Sequence, residues 1–359
     1  MNKPLTLSSK SKNIMHEPSL INPLEKKNWN NLLISTPGCS FFHTSNWADV
    51  LSKSYNYTPV YLCARKENTF ISLLPVMEVN SALTGRRGVC LPFTDMCEPI
   101  AENAQQFQKL FDQAVSLGKK QKWKYLEIRG GEKYLSAEQP AEFFHGHKLD
   151  LSSGQQQLFL NLRDSTQRNI KKAQKENIHV TISTSPQSMK DFYRLNTRTR
   201  REHGLPPQPF HFFRNLHELI IKKDLGFIVT ASVNNIVIAA NVYFKFGHEV
   251  IYKYGASDKA FQHLRANNLV MWEAIKWSID QGFAKLCFGR TEPENKGLMQ
   301  FKAGWGAKAY KIYYYRYDLQ KNVFAVDHSD INPLFKKIFS KLPIPVLEIM
   351  GRILYRHMG

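Results

Sequence analysis

The chain has 359 residues, of which 43% are hydrophobic and 22% are charged. This composition is typical of globular proteins and excludes a disordered chain, and the length suits two domains of about 150 residues each. With 49 Lys and Arg against 30 Asp and Glu, the net charge is +19. Such a charge fits either a polyanionic partner, such as RNA, anionic lipid head groups or a nucleotide-linked substrate, or a merely basic soluble protein.

Cysteine usage and the N-terminal segment bear on the cellular compartment. The five cysteines are odd in number and have no Cys-x-x-Cys spacing, so we predict neither a disulfide framework nor a metal site. Residues 1–19 are polar, without an apolar signal-peptide core, and are expected to form a flexible tail. No apolar run is long enough to span a membrane. We therefore expect a cytoplasmic protein, either free or peripheral at the inner face of the membrane.

Residues 20–150 alternate between helical and strand patterns, which is typical of a sheet covered by helices. In the helix predicted at 106–119, Phe107, Leu110 and Phe111 fall on one face. The other predicted elements of this half are a helix at 23–33, a helix starting at Thr44–Asn46, strands at 59–65, 70–79 and 125–129, and a loop at 85–99.

A second pass of similar order begins near Asp150, so the predicted fold class is α/β, or α+β where the strands are antiparallel. A three-stranded meander closes this pass, because Asn234-Asn235 and Gly247-His248 are residue pairs that tolerate tight turns. The predicted elements are a strand at 158–162, a helix capped by Asp164 or Ser165, a helix at 188–201, and strands at 225–233, 237–246 and 250–256.

Two helices of the second half carry much of the positive charge. Residues 163–201 contain ten Lys and Arg but only three acidic residues. We expect a half-exposed helix whose cationic face either binds a polyanionic substrate or is simply solvated. That face consists of Arg168, Lys171, Lys172 and Lys175, and the next helix is expected to point Arg194, Arg198, Arg200 and Arg201 outward.

Residues 254–307 combine a loop, a helix, a short strand and a glycine-punctuated return, and we expect the chemistry here. Asn268 is a candidate cap for the helix and Gly282 a candidate stop. Tyr254 and Asp258 flank the corner at 255–257 and are candidate catalytic residues. Asp258 is either a base or only a turn-forming acid.

Candidate anion-binding residues lie at the helix start and at the strand end. Arg265, Asn267 and Asn268 open the long helix, where backbone N–H groups and the helix dipole favour an anion. Arg290 follows the strand at 285–288 and suits a phosphate or a carboxylate through its planar guanidinium. The alternative for Arg290 is a salt bridge to a nearby glutamate.

Four segments resemble the FemAB-like family of the GNAT acyltransferase superfamily, including its branch found beside exopolysaccharide and exosortase loci. The resemblance covers about residues 155–317 with specific motifs and extends more loosely back to residue 20. The segments are RNIKKAQKENIHV (168–180), YKYGASDKAFQHLRANNLVMWEAIKWS (252–278), FGR (288–290) and GLMQFKAGWGA (297–307).

The resemblance implies a fold and a reaction. The implied fold is two GNAT-like domains, at 20–150 and 151–307, each a mixed, largely antiparallel sheet flanked by helices, with a strand segment at 308–331 returning to the sheet. The implied reaction transfers an acyl or aminoacyl group to an amine of a peptidoglycan or exopolysaccharide precursor. Family members that build peptidoglycan cross-bridges take the aminoacyl group from tRNA and act on a UDP-linked or lipid-linked precursor. No resident cofactor is implied, and aminoacyl-tRNA or acyl-CoA would be the donor substrate.

The resemblance also assigns site residues. A catalytically important lysine of the family lies in an F-K-x-x-[FW] setting, which Phe301-Lys302-x-x-Trp305 matches. Lys302 would then supply the cation that holds a developing oxyanion, and Trp305 would lie beside the substrate. The alternative for Lys302 is a surface lysine that buries only its stem.

One departure concerns the donor. CoA-dependent GNAT enzymes carry a Q/R-x-x-G-x-G/A phosphate loop, and Gln262–Asn267 occupies its place without the glycines. This argues against CoA binding in the usual mode. Two alternatives stay open: a CoA-dependent N-acetyltransferase acting on an amino sugar, and a non-catalytic GNAT-like module that binds RNA or membrane.

The last predicted element is a basic amphipathic helix at 332–359, interrupted by Pro343 and Pro345. Leu347, Met350 and Ile353 form an apolar stripe with arginines beside it. Such a helix either lies on an anionic membrane, or packs back on the first domain or on a dimer partner.

Overall fold

The computed structural model describes residues 17–326 and 337–359 as a mixed α/β structure with two sheets. This agrees with the predicted fold class. The strands are β1 (Ser19–Ile21), β2 (Thr58–Pro59), β3 (Tyr61–Lys66), β4 (Thr69–Leu74), β5 (Met77–Ser81), β6 (Gly85–Val89), β7 (Ile100–Ala101), β8 (Tyr125–Arg129), β9 (Glu142–Asp150), β10 (His179–Ser183), β11 (Gly226–Val233), β12 (Ile236–Phe246), β13 (Glu249–Ser257), β14 (Lys285–Thr291), β15 (Lys308–Asp318) and β16 (Val323–Phe324).

The α-helices lie against both faces of these sheets, and side-chain caps start several of them. Asn103 and Ser185 each accept a hydrogen bond from a backbone N–H in the first turn of the helix that follows. The helices are α1 (Trp29–Ile34), α2 (Ser45–Tyr55), α3 (Ala104–Lys120), α4 (Glu132–Leu135), α5 (Gly154–Asn161), α6 (Asp164–Lys175), α7 (Pro186–Glu202), α8 (Phe210–Leu216), α9 (Ala266–Asp280), α10 (Lys296–Ala303) and the C-terminal helix (Ile344–Leu354).

The larger sheet runs through both halves of the chain. Its strand order is β10-β11-β12-β13-β14-β9-β15-β8-β6-β5-β2, with β16 paired to β15. In this order each half contributes one parallel pair, β6 with β8 and β13 with β14, among otherwise antiparallel neighbours. The smaller sheet, β1-β3-β4-β7, belongs to the first half alone.

The two halves exchange strands at the centre of the larger sheet. β9 follows the first half in sequence but pairs with β14 of the second, and β15 follows the second half but pairs with β8 of the first. β9 and β15 also pair with each other, from Lys308 opposite Lys148 to Tyr314 opposite Glu142. The sheet is therefore continuous across both halves, and each half needs a strand from elsewhere in the chain to complete its part of the sheet.

β13 and β14 separate part-way along their length. Their parallel ladder runs from Glu249 opposite Lys285 to Ile251 opposite Cys287, and both strands then continue without pairing to each other. Gly289 lies beyond this point with φ +67°, a left-handed conformation that favours glycine. The opening between the two strands exposes their backbone groups to side chains from other elements.

Two hydrophobic cores cover opposite faces of the second-half sheet. One core joins both halves: the Phe41 ring stacks on Phe244 at 4.5 Å, and Trp47 packs edge-on against Phe212. The other core lies under α5, α6 and α9 and includes Trp272. Among the described residues, no helix is both long enough and apolar enough to cross a membrane.

Several sequence predictions of elements are corrected here. Residues 158–162 were predicted as a strand, but residues 158–161 form the end of α5 and Leu162 follows it. The prediction was wrong because a short apolar run does not distinguish a buried strand from a helix. The helix predicted at 23–33 is a 3-10 turn at Pro23–Glu25 followed by α1. Residues 1–16 of the predicted tail at 1–19 lie outside the described residues, as do the end of the predicted strand segment at 308–331 and the start of the predicted helix at 332–359.

The predicted helix caps also need correction. α9 begins at Ala266, so Asn268 lies inside its first turn, and Arg265 occupies the cap position with φ +60° and no capping side chain. Neither Asp164 nor Ser165 caps α6, since Arg163 precedes its first residue. Gly282 does follow α9 in a left-handed conformation, as predicted for a helix stop.

Candidate functional site

Lys302 lies on the buried face of α10. Asn295 caps this helix by accepting a hydrogen bond from the Leu298 N–H at 3.1 Å. The Lys302 side chain reaches the open end of β14, where its Nζ donates to the carbonyl oxygens of Gly289 and Arg290, both at 3.1 Å. The residue is only 2% exposed. The structure therefore does not place Lys302 on the surface, which was the alternative interpretation of its sequence.

Burial changes the protonation of Lys302. Removal from water lowers the pKa of its ammonium to about 8, while the nearby Asp95 carboxylate raises it and the nearby Lys253 ammonium lowers it further. An ordinary lysine titrates near 10.4. Lys302 therefore changes charge close to the physiological range, in a place where a charge has few competing water molecules.

Asp95, which the sequence analysis did not select, is the acidic centre of this region. Its Oδ2 accepts a hydrogen bond from Lys253 Nζ at 3.1 Å, and the two side chains are 18% and 6% exposed. A Cβ atom at Gly289 would come within 3.1 Å of the same carboxylate oxygen. The absence of a side chain at Gly289 thus lets Asp95, from the first half, approach the end of β14.

His147 is a second residue that the sequence analysis missed. It lies on β9 opposite Ala309 and is 2% exposed. Burial lowers the pKa of its imidazole to about 4, and the charge of Lys302 contributes to the shift. Its Nδ1 has no hydrogen-bond partner among the described residues. A neutral imidazole with an unused nitrogen therefore lies near the buried lysine.

Arg290 lies in an aromatic setting at the same strand end. Its Nη1 donates to the Tyr314 hydroxyl at 3.0 Å, and its guanidinium lies over the Phe144 ring at 4.0 Å. Within residues 17–326 and 337–359 it forms no salt bridge to Glu292 or Glu294, the alternative considered from the sequence. Its contact with a substrate phosphate or carboxylate stays a prediction.

Tyr254 and Asp258 lie at different places on and after β13. The Tyr254 ring packs against Phe213 at 5.6 Å, burial raises the pKa of its phenol, and its hydroxyl has no partner among the described residues. Asp258 accepts a hydrogen bond from the Ala260 N–H at 3.1 Å and forms a 2.6 Å ion pair with Arg198. Asp258 therefore has a turn-forming role in the structure, and a catalytic role for either residue stays a prediction.

A cleft of about 350 Å³ opens at the start of α9. It is lined on one side by Asp258, Arg265, Asn267 and Asn268, so it gathers four of the predicted site residues. α6 and α10 form the other walls, and Asn267 Nδ2 donates to Ser257 Oγ at 2.9 Å across its edge. The first N–H groups of a helix have no acceptor within the helix, so this wall favours an anion.

The cleft and the buried lysine share α10. Gln300 and Phe301 line the cleft, whereas the next residue, Lys302, points toward β14. Trp305 follows in the core, 1% exposed, with its ring 6.0 Å from that of Phe301. A direct contact between Trp305 and a substrate stays a prediction. α10 is thus the wall between the anion-favouring cleft and the Lys302 region.

The predicted cationic face of α6 starts at the edge of this cleft. Ser165 and Asn169 of α6 line the cleft. Arg168 lies three residues after Ser165 and Lys172 three residues after Asn169, so both are their neighbours on the helix surface. Both basic side chains are exposed, as are Lys171 and Lys175. On α7, by contrast, Arg194 and Arg200 do not simply point outward: Arg194 donates to the Val237 carbonyl and Arg200 to the Tyr355 hydroxyl.

Comparison with known proteins places the second half of the chain in a recognised type of domain. Residues 161–311 match the family model described as an acetyltransferase (GNAT) domain. A stretch of 81 residues is 30% identical to the aminoacyltransferase FemA of Staphylococcus aureus. This stretch covers 21% of the present chain and only 19% of FemA.

Solved structures show the same fold over most of the chain. The crystal structure of FemX superposes with a TM-score of 0.67 and 13% identity, covering 90% of this chain and 100% of that one. The tandem GNAT protein from the clavulanic acid biosynthesis pathway superposes with a TM-score of 0.54 and 9% identity, covering 88% and 100%. The described halves therefore share the architecture of tandem GNAT domains.

Proposed function

We propose, from the premise that this chain is an acyltransferase of the FemAB-like family in the GNAT superfamily, that it transfers an acyl or aminoacyl group to an amine of a cell-envelope precursor. The observation that carries the proposal is the position of Lys302. Its Nζ is buried where β13 and β14 separate, it has a pKa of about 8, and it lies one residue from a cleft that favours anions.

In the proposed reaction the acceptor amine attacks the carbonyl carbon of the donor. The new C–N bond forms and negative charge develops on the carbonyl oxygen. The C–O bond of an aminoacyl ester, or the C–S bond of a thioester, then breaks, and the proton lost by the attacking amine ends on the departing tRNA hydroxyl or CoA thiol. Lys302 in its charged form has three N–H groups, of which two donate to Gly289 and Arg290. The third would donate to the developing oxyanion, and such a donor contributes about 10²- to 10³-fold in kcat.

The surroundings of the cleft support aminoacyl-tRNA as the donor. The exposed basic residues of α6 continue from the cleft edge, and from Arg168 to Lys175 they span roughly 10 Å along the helix. A polynucleotide bound along the cleft, with its acylated end extending past α10 to Lys302, would therefore meet a row of cations along α6. Paired or half-buried arginines such as Arg198 and Arg200 would contribute less to such a contact.

One observation favours acyl-CoA as a second candidate donor. The N-terminus of α9 still faces the cleft, and a helix start binds phosphate through backbone N–H groups without any special side chain. Against it, Arg265 and not glycine occupies the left-handed residue at the helix start. In this case the acceptor would be an amino sugar.

A direct test gives the purified protein one labelled donor at a time. The donors are acetyl-CoA and a pool of aminoacyl-tRNAs, each combined with UDP-linked muropeptide or with an amino-sugar precursor, and products are identified by mass spectrometry. An aminoacylated envelope precursor is the expected product. Acetylation of an amino sugar in its place would select the second candidate, and absence of any product from all four combinations, with ligand binding intact, would reject the proposed acceptor class.

A further inference from the structure

The C-terminal helix is held firmly against the body of the protein by one of its faces. Leu347 is fully buried, and a Cβ atom at Gly351 would lie 2.0 Å from the Pro207 carbonyl oxygen, so the helix backbone touches the segment before α8 directly. Tyr355, just after the helix, donates to the Pro206 carbonyl at 3.2 Å and accepts from Arg200 at 3.0 Å. The orientation of the opposite face is therefore fixed.

That opposite face carries an exposed apolar stripe. Val346, Ile349 and Ile353 follow one another at helical spacing and are 41%, 55% and 56% exposed. Phe210 of α8, 36% exposed, lines the groove beside the same helix. A contiguous row of exposed aliphatic side chains on a fixed helix is typical of a surface that binds a protein partner or a membrane.

Basic side chains border the stripe. Arg352 and Arg356 are exposed beside it, and between residues 337 and 359 there are four Lys and Arg but one acid, Glu348. A groove of about 870 Å³ runs between the helix, α7 and α8, with an apolar wall and several cationic side chains. These cations are Lys190, Arg194, Arg198, Arg214 and Arg352; Arg198 is paired with Asp258, and Glu348 also lines the groove.

We propose that this surface docks the protein on an anionic lipid bilayer, with Val346, Ile349 and Ile353 entering the acyl boundary and the arginines contacting lipid phosphates. An apolar stripe with flanking cations is the pattern of helices that lie in the membrane interface. A second copy of this chain fits less well, because a two-fold contact would bring the same cationic border against itself. The inference rests on the helix and its groove, and it is independent of the proposed acyl transfer.

The test measures sedimentation of the full chain with vesicles. Phosphatidylcholine vesicles with about one third phosphatidylglycerol are compared with pure phosphatidylcholine, and the wild-type protein is expected to bind only the former. Replacing both isoleucines, Ile349→Ser with Ile353→Ser, should weaken the partition coefficient at least about tenfold, and so should Arg352→Glu with Arg356→Glu. All four side chains are exposed, so the folded state should persist, as checked by circular dichroism.

Matched controls separate this surface from general charge and hydrophobicity. Lys119→Glu with Lys120→Glu, at the exposed end of α3, makes the same change in net charge, and Ile34→Ser removes an isoleucine that is 64% exposed. Both controls should bind vesicles as the wild type does. Unchanged binding by the Ile349/Ile353 variant would overturn the proposal. A wild-type dimer that becomes monomeric in that variant would overturn it too, by assigning the stripe to self-association.

Discussion

Asp95 in the first half of the chain and Lys253 in the second form an ion pair of 3.1 Å, and both interact electrostatically with Lys302. Asp95 comes from the loop before β7 and Lys253 from β13, so the pair exists only when the two halves are packed together. The protonation of the candidate catalytic lysine thus depends on groups from both halves.

Replacement of Lys302 should separate catalysis from binding. Lys302→Ala removes the proposed oxyanion donor, so kcat should fall about 10²- to 10³-fold, while the affinity for donor and acceptor changes little. Lys302→Arg keeps a cation and should retain more activity than the alanine variant. Turnover at the wild-type level in Lys302→Ala, with the protein folded, would contradict the proposed role.

The pH dependence of kcat provides a more specific test of the same role. Lys302 donates to the oxyanion only when protonated, so kcat should decline as pH rises through about 8. Asp95 raises the pKa of Lys302 and Lys253 lowers it. Asp95→Asn should therefore move the decline to lower pH, and Lys253→Met should move it to higher pH. Shifts in the same direction for both variants would show that another group titrates.

The face of α6 should control the salt dependence of donor binding. Each phosphate contact that is lost reduces the slope of log affinity against log salt by about 0.7 to 0.9. Arg168→Glu with Lys172→Glu, at the cleft edge, should therefore make the slope for aminoacyl-tRNA shallower by about 1 to 2. The α3 variant Lys119→Glu with Lys120→Glu is the charge-matched control. If both double variants gave the same slope of log affinity against log salt, the α6 face would not contact the donor and would simply be solvated.

A buried charge network that joins β8 to β15 should be important for stability. Glu127, 6% exposed, binds both Arg129 at 2.8 Å and Arg316 of β15 at 3.1 Å. Burial alone would raise the pKa of its carboxyl, but the two guanidinium groups outweigh burial and hold that pKa below the ordinary value. Its contribution to stability is therefore present above the ordinary pKa of glutamic acid and is lost as pH falls through the lowered one.

Denaturation of Glu127→Gln checks this network. At pH 7 the free energy of unfolding should fall by about 3 to 5 kcal/mol, because two arginines lose the charge that compensates their burial. The difference from the wild type should shrink in acid, where the wild-type carboxyl is also neutral. Glu138→Gln, an exposed glutamate, is the control and should change little at either pH. A pH-independent difference would attribute the loss to packing.

Gly351 should be intolerant of a methyl group although it lies in a helix. Glycine to alanine in a helix normally stabilises by about 1 kcal/mol. Here the added Cβ would meet the Pro207 carbonyl at 2.0 Å, so Gly351→Ala should lower the melting temperature, at a cost of about 1 to 3 kcal/mol. Gly297→Ala, in α10, is the control because its Cβ would meet no atom closer than 4.0 Å. A higher melting temperature for Gly351→Ala would show that the C-terminal helix is not docked as described.

Local patterns predicted many elements correctly. β8 was placed at its observed residues, and the meander of β11, β12 and β13 was predicted to within a few residues. Alternating apolar residues and tight-turn pairs such as Asn234-Asn235, both with positive φ, explain this success. β9 was missed because its neighbours β14 and β15 lie far away in sequence and cover it on both edges. Its sequence, with two histidines and a glycine, lacks a simple alternation.

The candidate site was predictable only in part, because some of its contacts join segments that are far apart in sequence. The four predicted residues that line the cleft, between Asp258 and Asn268, are close in sequence, and Lys302 stands in a recognisable family setting. Asp95 and His147 reach Lys302 only through the packing of distant segments. The one local signal for Asp95 was a single acid in the apolar run LPFTDMC (91–97).

The exchange of β9 and β15 sets the order in which the chain can fold as it is synthesised. β8 acquires its neighbour β15 only after about 180 further residues have been made, which at ribosomal rates takes roughly ten to forty seconds. During that interval β8 has an unpaired edge and β9 lacks its partner β15. Unpaired strand edges favour pairing with other chains. The nascent chain is therefore most exposed to mispairing with other chains until residues 308–318 leave the ribosome.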